Sequence, residues 1–137
     1  MSKSKQQLLD ERYLRMARIW AENSYCERRQ VGALIVRGDA IISDGYNGTP
    51  SGFENICEDE NNKTKPYVLH AEANAITKVA KSNNSSLGAT LYVTASPCIE
   101  CAKLIIQAGG WCILKIIGVS TGSNCCRRPG LTWRLLS

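Results

Sequence analysis

The sequence predicts a layered α/β domain, and three observations predict it. Apolar, β-branched stretches alternate with stretches of helical periodicity. Glycine and proline punctuate the boundaries between them. A length of 137 residues suits one compact domain and is short for two.

Residues 6–24 carry Leu9, Tyr13, Met16, Ala17 and Trp20 at three- and four-residue spacing, with charges between them. That periodicity predicts an amphipathic helix with the stripe packed on the core. Val31-Gly32-Ala33-Leu34-Ile35-Val36, a Gly38-Asp39 turn and Ala40-Ile41-Ile42-Ser43 predict a hairpin. Gly45 to Gly52 reads as a Gly/Pro-rich loop, and the polar residues 54–66 as a mobile surface insertion. His70 to about Asn83 reads as a second helix, Ala89 to Thr94 as a strand, Cys98 to Ala108 as a third helix and Trp111 to Val119 as a further strand.

Hydrophobic residues at 44% and charged residues at 21% exclude wholesale disorder. No apolar run reaches the ~18 residues of a membrane span. The polar N-terminus has no signal-peptide pattern, which places the chain in the cytoplasm as an expectation. Seven cysteines, an odd number, then argue for metal binding over a disulfide framework. The net charge of +5 invites a nucleic-acid reading. Residues 1–100 balance, however, and the excess comes entirely from Lys103, Lys115, Arg127, Arg128 and Arg134, beyond the last acid, Glu100. This is a change of composition near Gly110 rather than a basic binding face.

The chemistry concentrates in His70-Ala71-Glu72 and Pro97-Cys98-Ile99-Glu100-Cys101. One imidazole and two thiolates leave a fourth tetrahedral zinc position open for water, as catalytic sites require. Glu72, two residues past His70, is placed to take a proton from that water without binding the metal. Cys98 and Cys101 fall in a first helical turn, where the helix dipole favours thiolates. Each piece has a plainer reading. A lone histidine in a helix is commonly structural, and Cys-x-x-Cys also suits a redox pair or half of a structural zinc site completed by Cys26 or Cys57. Together the two halves match H-x-E…P-C-x-x-C, the pattern of zinc nucleobase deaminases.

From about Leu8 to Gly109 the chain resembles the deoxycytidylate (dCMP) deaminases of the cytidine deaminase superfamily. The resemblance rests on Arg28-Arg29-Gln30-Val31-Gly32-Ala33, Gly45-Tyr46-Asn47-Gly48-Thr49-Pro50-Ser51-Gly52, His70-Ala71-Glu72-Ala73-Asn74-Ala75-Ile76 and Ser96-Pro97-Cys98-Ile99-Glu100-Cys101-Ala102-Lys103. The zinc motif fits the whole superfamily, and the Gly-Tyr-Asn-Gly-x-Pro stretch narrows it to the deoxynucleotide branch. The resemblance implies a three-layer α/β/α cytidine deaminase-like sandwich with a mixed central sheet, forming a single deaminase domain over 1–137. It implies hydrolysis of dCMP to dUMP and ammonia, with one catalytic zinc on His70, Cys98 and Cys101. Water activated on the metal would attack C4 of cytosine, and Glu72 would relay protons to N3 and to the leaving amine.

Asn47 would hold the sugar hydroxyl and the Ala71 backbone would line the base. The 5′-phosphate needs a cation or N–H donors, with Arg28 and Arg29 the first candidates and Ser51 and Tyr92 the next. The family further implies a homo-oligomer, hexamer or dimer, and a dCTP or dTTP effector. A second, structural zinc at Cys26 and Cys57 would draw on histidines that this insertion lacks. Alternatives are a deaminase of the same fold acting on tRNA adenosine or a free nucleobase, and a protein inactivated by its tail.

Beyond about residue 110 the resemblance stops, and the tail is expected to be read out of frame, with genuine divergence as the alternative. Read from the third base of each codon, Trp111-Cys112 must give Val, and Asn124-Cys125-Cys126 must give Leu-Leu. The aromatic residue that relatives carry near position 117 is absent.

Overall fold

The structure, a computed structural model, describes residues 2–109 and the backbone of two strands further on, 111–114 and 133–135. Helix α1 (Lys5–Trp20) is followed by a short 3-10 turn, then by strands β1 (Gly32–Arg37) and β2 (Ala40–Tyr46). Helix α2 (Ala71–Ala80), strand β3 (Thr90–Val93), helix α3 (Ile99–Gln107) and strands β4 (Trp111–Leu114) and β5 (Trp133–Leu135) complete the order. The strands form one sheet in the order β2-β1-β3-β4-β5. β1 pairs antiparallel with β2 and β3, whereas β3–β4 and β4–β5 are parallel, so the sheet is mixed.

Period-two alternation sends neighbouring residues of a strand to opposite faces. Ala33 and Ile35 of β1 join Leu91 and Val93 of β3 on one face, packed with Ala71, Ala75 and Val79 of α2 and Ile105 of α3. Leu34, Val36 and Tyr92 face the other way, onto Leu14 and Ala17 of α1. Each fully buried Leu, Ile or Val contributes roughly 1.5–3 kcal/mol. The expected three layers are therefore present, with α1 on one side and α2 and α3 on the other.

Helix α1 starts as a capping box: the Ser4 hydroxyl accepts from Gln7 N–H at 3.1 Å, and the Gln7 side chain accepts from Ser4 N–H at 2.8 Å. It sits tightly on the sheet because β1 begins with glycine. A Cβ on Gly32 would come within 1.9 Å of the Ala17 carbonyl oxygen. The buried stripe differs from the expected one. Asp10, Leu14 and Ala17 are buried, while Met16 and Trp20 are exposed. Asp10 can lie inside because Tyr92 donates its hydroxyl proton to Oδ1 at 2.6 Å and the Gln6 amide donates to the same oxygen at 2.8 Å.

The hairpin turns at Gly38, which has φ 61°, and β2 runs on through Gly45 and Tyr46, into the stretch whose glycines and proline predict a loop. The fourth strand is described only to Leu114. Its expected continuation to Val119 lies outside the described residues, as does most of the tail from about 110 that is expected to be out of frame. No helix among the described residues is long and apolar enough to cross a membrane.

Candidate active site

Two helix starts converge beside the carboxyl end of β3. His70 is the N-cap of α2 and Cys98 the N-cap of α3, both in extended conformation, with Cys101 one turn into α3. The α2 start is fixed from β2. A Cβ on Gly45 would meet the Ala71 carbonyl oxygen at 2.4 Å and Ala75 N at 2.7 Å, so only glycine allows this approach. The Ser43 hydroxyl donates to the Ala75 carbonyl at 2.7 Å, and the Asn74 amide donates to the Tyr46 carbonyl at 2.7 Å.

His70 Nδ1 lies 3.4 Å from Cys98 Sγ and 3.3 Å from Cys101 Sγ, and the three donor atoms are mutually within 4.8 Å. Nitrogen and sulfur bound to one tetrahedral zinc at their usual bond lengths stand about 3.5 Å apart. The donor set and spacing therefore fit zinc. Cys101 is buried; Cys98 and His70 reach the surface. Burial, followed by the neighbouring Glu72 carboxylate and Cys98, pushes the Cys101 thiol well above its ordinary range.

Glu72 is 3% exposed. Burial raises its pKa above the ordinary carboxylate value. Its backbone N–H, Cys101, His70 and the charge of Arg29 oppose that rise only partly. The result is a carboxyl that holds a proton more readily than an exposed glutamate.

These groups open into a cavity of about 370 Å³, within the ordinary range for a small-molecule site, lined in part by His70, Ala71, Glu72, Cys98, Arg28 and Arg29. Asn47 lines it too, but its carboxamide is engaged: Nδ2 donates to the Arg29 carbonyl at 2.7 Å and Oδ1 accepts from Val31 N–H at 2.8 Å. One N–H and one lone pair remain to meet a ligand.

Two expected phosphate candidates are not brought to this cavity. Tyr92 is 2% exposed, on the α1 face of the sheet, bonded to Asp10. Strand alternation carries this signal, since Leu91 and Val93 face α2 and Tyr92 cannot share their side. Ser51 is exposed on a turn and does not line the cavity.

Cys26 and Cys57 are joined as a disulfide, against the expectation drawn from compartment and odd cysteine number. Chain topology overrides that count, because the loop after α1 and the insertion meet at the cavity wall. With their sulfurs bonded to each other, these two cysteines are not a fourth thiolate for the His70 group. The insertion, expected to be mobile, is tied down. Glu58 bridges to Thr64, Lys65 N–H donates to the Cys57 carbonyl at 2.7 Å, and Glu58, Thr64 and Val68 line the cavity. Sequence reasoning missed these three; Glu58 is placed by contacts with Glu27 and Arg28, about thirty residues away, which leave no local pattern.

The family model for the cytidine and deoxycytidylate deaminase zinc-binding region matches residues 8–116. The deoxycytidylate deaminase of Homo sapiens is 40% identical over 107 residues, covering 72% of this chain and 59% of that protein. ComE operon protein 2 of Bacillus subtilis (strain 168) is 41% identical over 101 residues, covering 71% of this chain and 53% of that protein. The chain thus spans little more than half the length of these two curated relatives. Among solved structures, the dCMP deaminase of cyanophage S-TIM5, crystallised with dCMP and dUMP, is 42% identical with a TM-score of 0.78, covering 83% of this chain and 84% of that one.

Proposed function

The chain belongs to the cytidine and deoxycytidylate deaminase family, and from that membership we propose that it hydrolyses dCMP to dUMP and ammonia. The observation that carries the proposal is the meeting of His70, Cys98 and Cys101 beside a buried Glu72, with His70, Glu72 and Cys98 lining a cavity of about 370 Å³. The cyanophage relative, crystallised with dCMP and dUMP, supports the choice of substrate.

His70, Cys98 and Cys101 would hold the zinc, which when bound lowers the pKa of a water to about 7 and so supplies a nucleophile at neutral pH. Glu72 takes one proton from the attacking water and passes it to N3 of cytosine. It then delivers the second to the amino group on C4, which leaves as ammonia. Its raised pKa suits a group that must carry a proton between two transfers. The Ala71 backbone borders the base, and the free N–H of Asn47 faces the sugar. Arg28 and Arg29 bind the 5′-phosphate. Among the described residues neither guanidinium is paired with a carboxylate, which leaves their charge available.

The wider reading is of a cytoplasmic homo-oligomer, a dimer or hexamer, with dCTP or dTTP as effector. Exposed Ile99 and Ile106, seven positions apart on one side of α3, support a self-association face. We also propose that the residues from about 110 form an out-of-frame tail of the single domain, a reading that rests on the codon arithmetic of Trp111-Cys112 and Asn124-Cys125-Cys126.

Ammonia release from dCMP, deoxycytidine, dAMP and guanine, with zinc quantified on the same sample, tests the proposal. Turnover of dCMP at least about tenfold faster than of the others is expected if a charged phosphate contact contributes ~1.5–3 kcal/mol. Equal turnover of deoxycytidine, or faster turnover of dAMP or guanine, would contradict it.

A further inference from the structure

The loop that carries Arg28 and Arg29 lies between the 3-10 turn and β1 and has no ladder of its own. It is nevertheless held from both sides. On one side Asn47 takes the Arg29 carbonyl and the Val31 N–H. On the other, a single oxygen of Glu58, Oε1, accepts from the N–H of Glu27 at 2.9 Å and of Arg28 at 3.0 Å. The residue before Glu58 is Cys57, tied by its disulfide to Cys26, the residue before Glu27. The two segments therefore run side by side, first by a covalent link and then by a carboxylate seated on consecutive backbone donors. Glu58, Arg28 and Arg29 all line the same cavity.

We propose that Glu58 is a positioning residue: its carboxylate sets the backbone of the Arg28–Arg29 loop so that the two guanidinium groups meet the 5′-phosphate of the substrate. The inference rests on the dCMP reading above. Its physical basis is preorganisation. Long arginine side chains on an unpaired loop lose entropy when they close on a phosphate, and part of that cost disappears when the backbone beneath them is already fixed. Charge-assisted bonds to backbone N–H groups are the stronger class of hydrogen bond, which suits Glu58 to this task. A second consequence follows from the sign of its charge. Directed onto two N–H donors, the carboxylate is occupied there and does not form an ion pair with either arginine.

The test compares dCMP with deoxycytidine in the zinc-loaded full chain and in Glu58→Ala, Glu58→Gln and Arg28→Ala/Arg29→Ala backgrounds. Glu58→Ala is expected to raise KM for dCMP about tenfold, with kcat within about twofold and kcat/KM for deoxycytidine unmoved. Glu58→Gln keeps a carbonyl acceptor and should recover most of the loss. In the double-arginine background Glu58→Ala should have little further effect, since the two act through one contact. The Kd of the product dUMP should weaken by the same factor, and that of deoxyuridine should not.

Parallel losses on dCMP and deoxycytidine, or no loss on dCMP, would overturn the role of Glu58 while leaving the phosphate reading intact. Equal kcat/KM of the unaltered chain on dCMP and deoxycytidine would instead remove the phosphate reading, and this inference with it.

Discussion

The proposed reaction requires Glu72 to be both buried and reversibly charged, and its surroundings reconcile the two. Burial raises its pKa, while its own backbone N–H, the Cys101 thiol and the positive charge of Arg29 keep the ionised form within reach. Replacing Glu72 by Gln should leave zinc content unchanged and lower kcat by about 10²–10⁴-fold; kinetics and metal analysis on one sample check this. Cys101 makes the complementary case. Its thiol is pushed up by burial, by Glu72 and by Cys98, yet it must be a thiolate to bind metal. Zinc loading should therefore release a proton from Cys101, and affinity should fall as pH falls. Calorimetric titration of metal-free protein in buffers of different ionisation enthalpy reads both effects. An affinity independent of pH would count against a thiol ligand.

At the scale of elements, the site depends on how close α2 can come to β2. The Cβ of Gly45→Ala would sit 2.4 Å from the Ala71 carbonyl oxygen, so the helix start carrying His70 and Glu72 must shift. A loss of at least about 2 kcal/mol and weaker zinc retention are expected. Gly48→Ala meets nothing within 4 Å and serves as the control, with a change of about 0.5 kcal/mol or less. Denaturant melts with metal analysis of both variants check the pair. The helix starts themselves were legible in the sequence, because His70 and Pro97-Cys98 follow breaks and precede apolar periodicity. The arginine loop was only half legible. Arg28 and Arg29 stood out as cations, but Glu58, Asn47 and the Cys26–Cys57 link act across 16 to 31 positions of chain and leave no local pattern.

Across the whole molecule, the mixed sheet separates the face that carries the candidate site from a structural one. The alternation of β1 and β3 carries that division and places Tyr92 on the structural face, against its sequence-based candidacy for the phosphate. Asp10 was not readable, since a carboxylate 1% exposed contradicts its polarity until its donors on β3 and α1 are seen. Tyr92→Phe removes one of those donors and should cost about 1–3 kcal/mol while leaving KM for dCMP unchanged. A large rise in that KM would return Tyr92 to the substrate site. What joins the faces into one account is a metal gripped by two helix starts. Zinc-edge X-ray absorption on the purified full chain tests this most directly. The account predicts one zinc per chain with two sulfurs at ~2.3 Å and one histidine nitrogen at ~2.0–2.1 Å, plus one further light atom. A chain that takes up no zinc, or a shell of four sulfurs or of none, would contradict it.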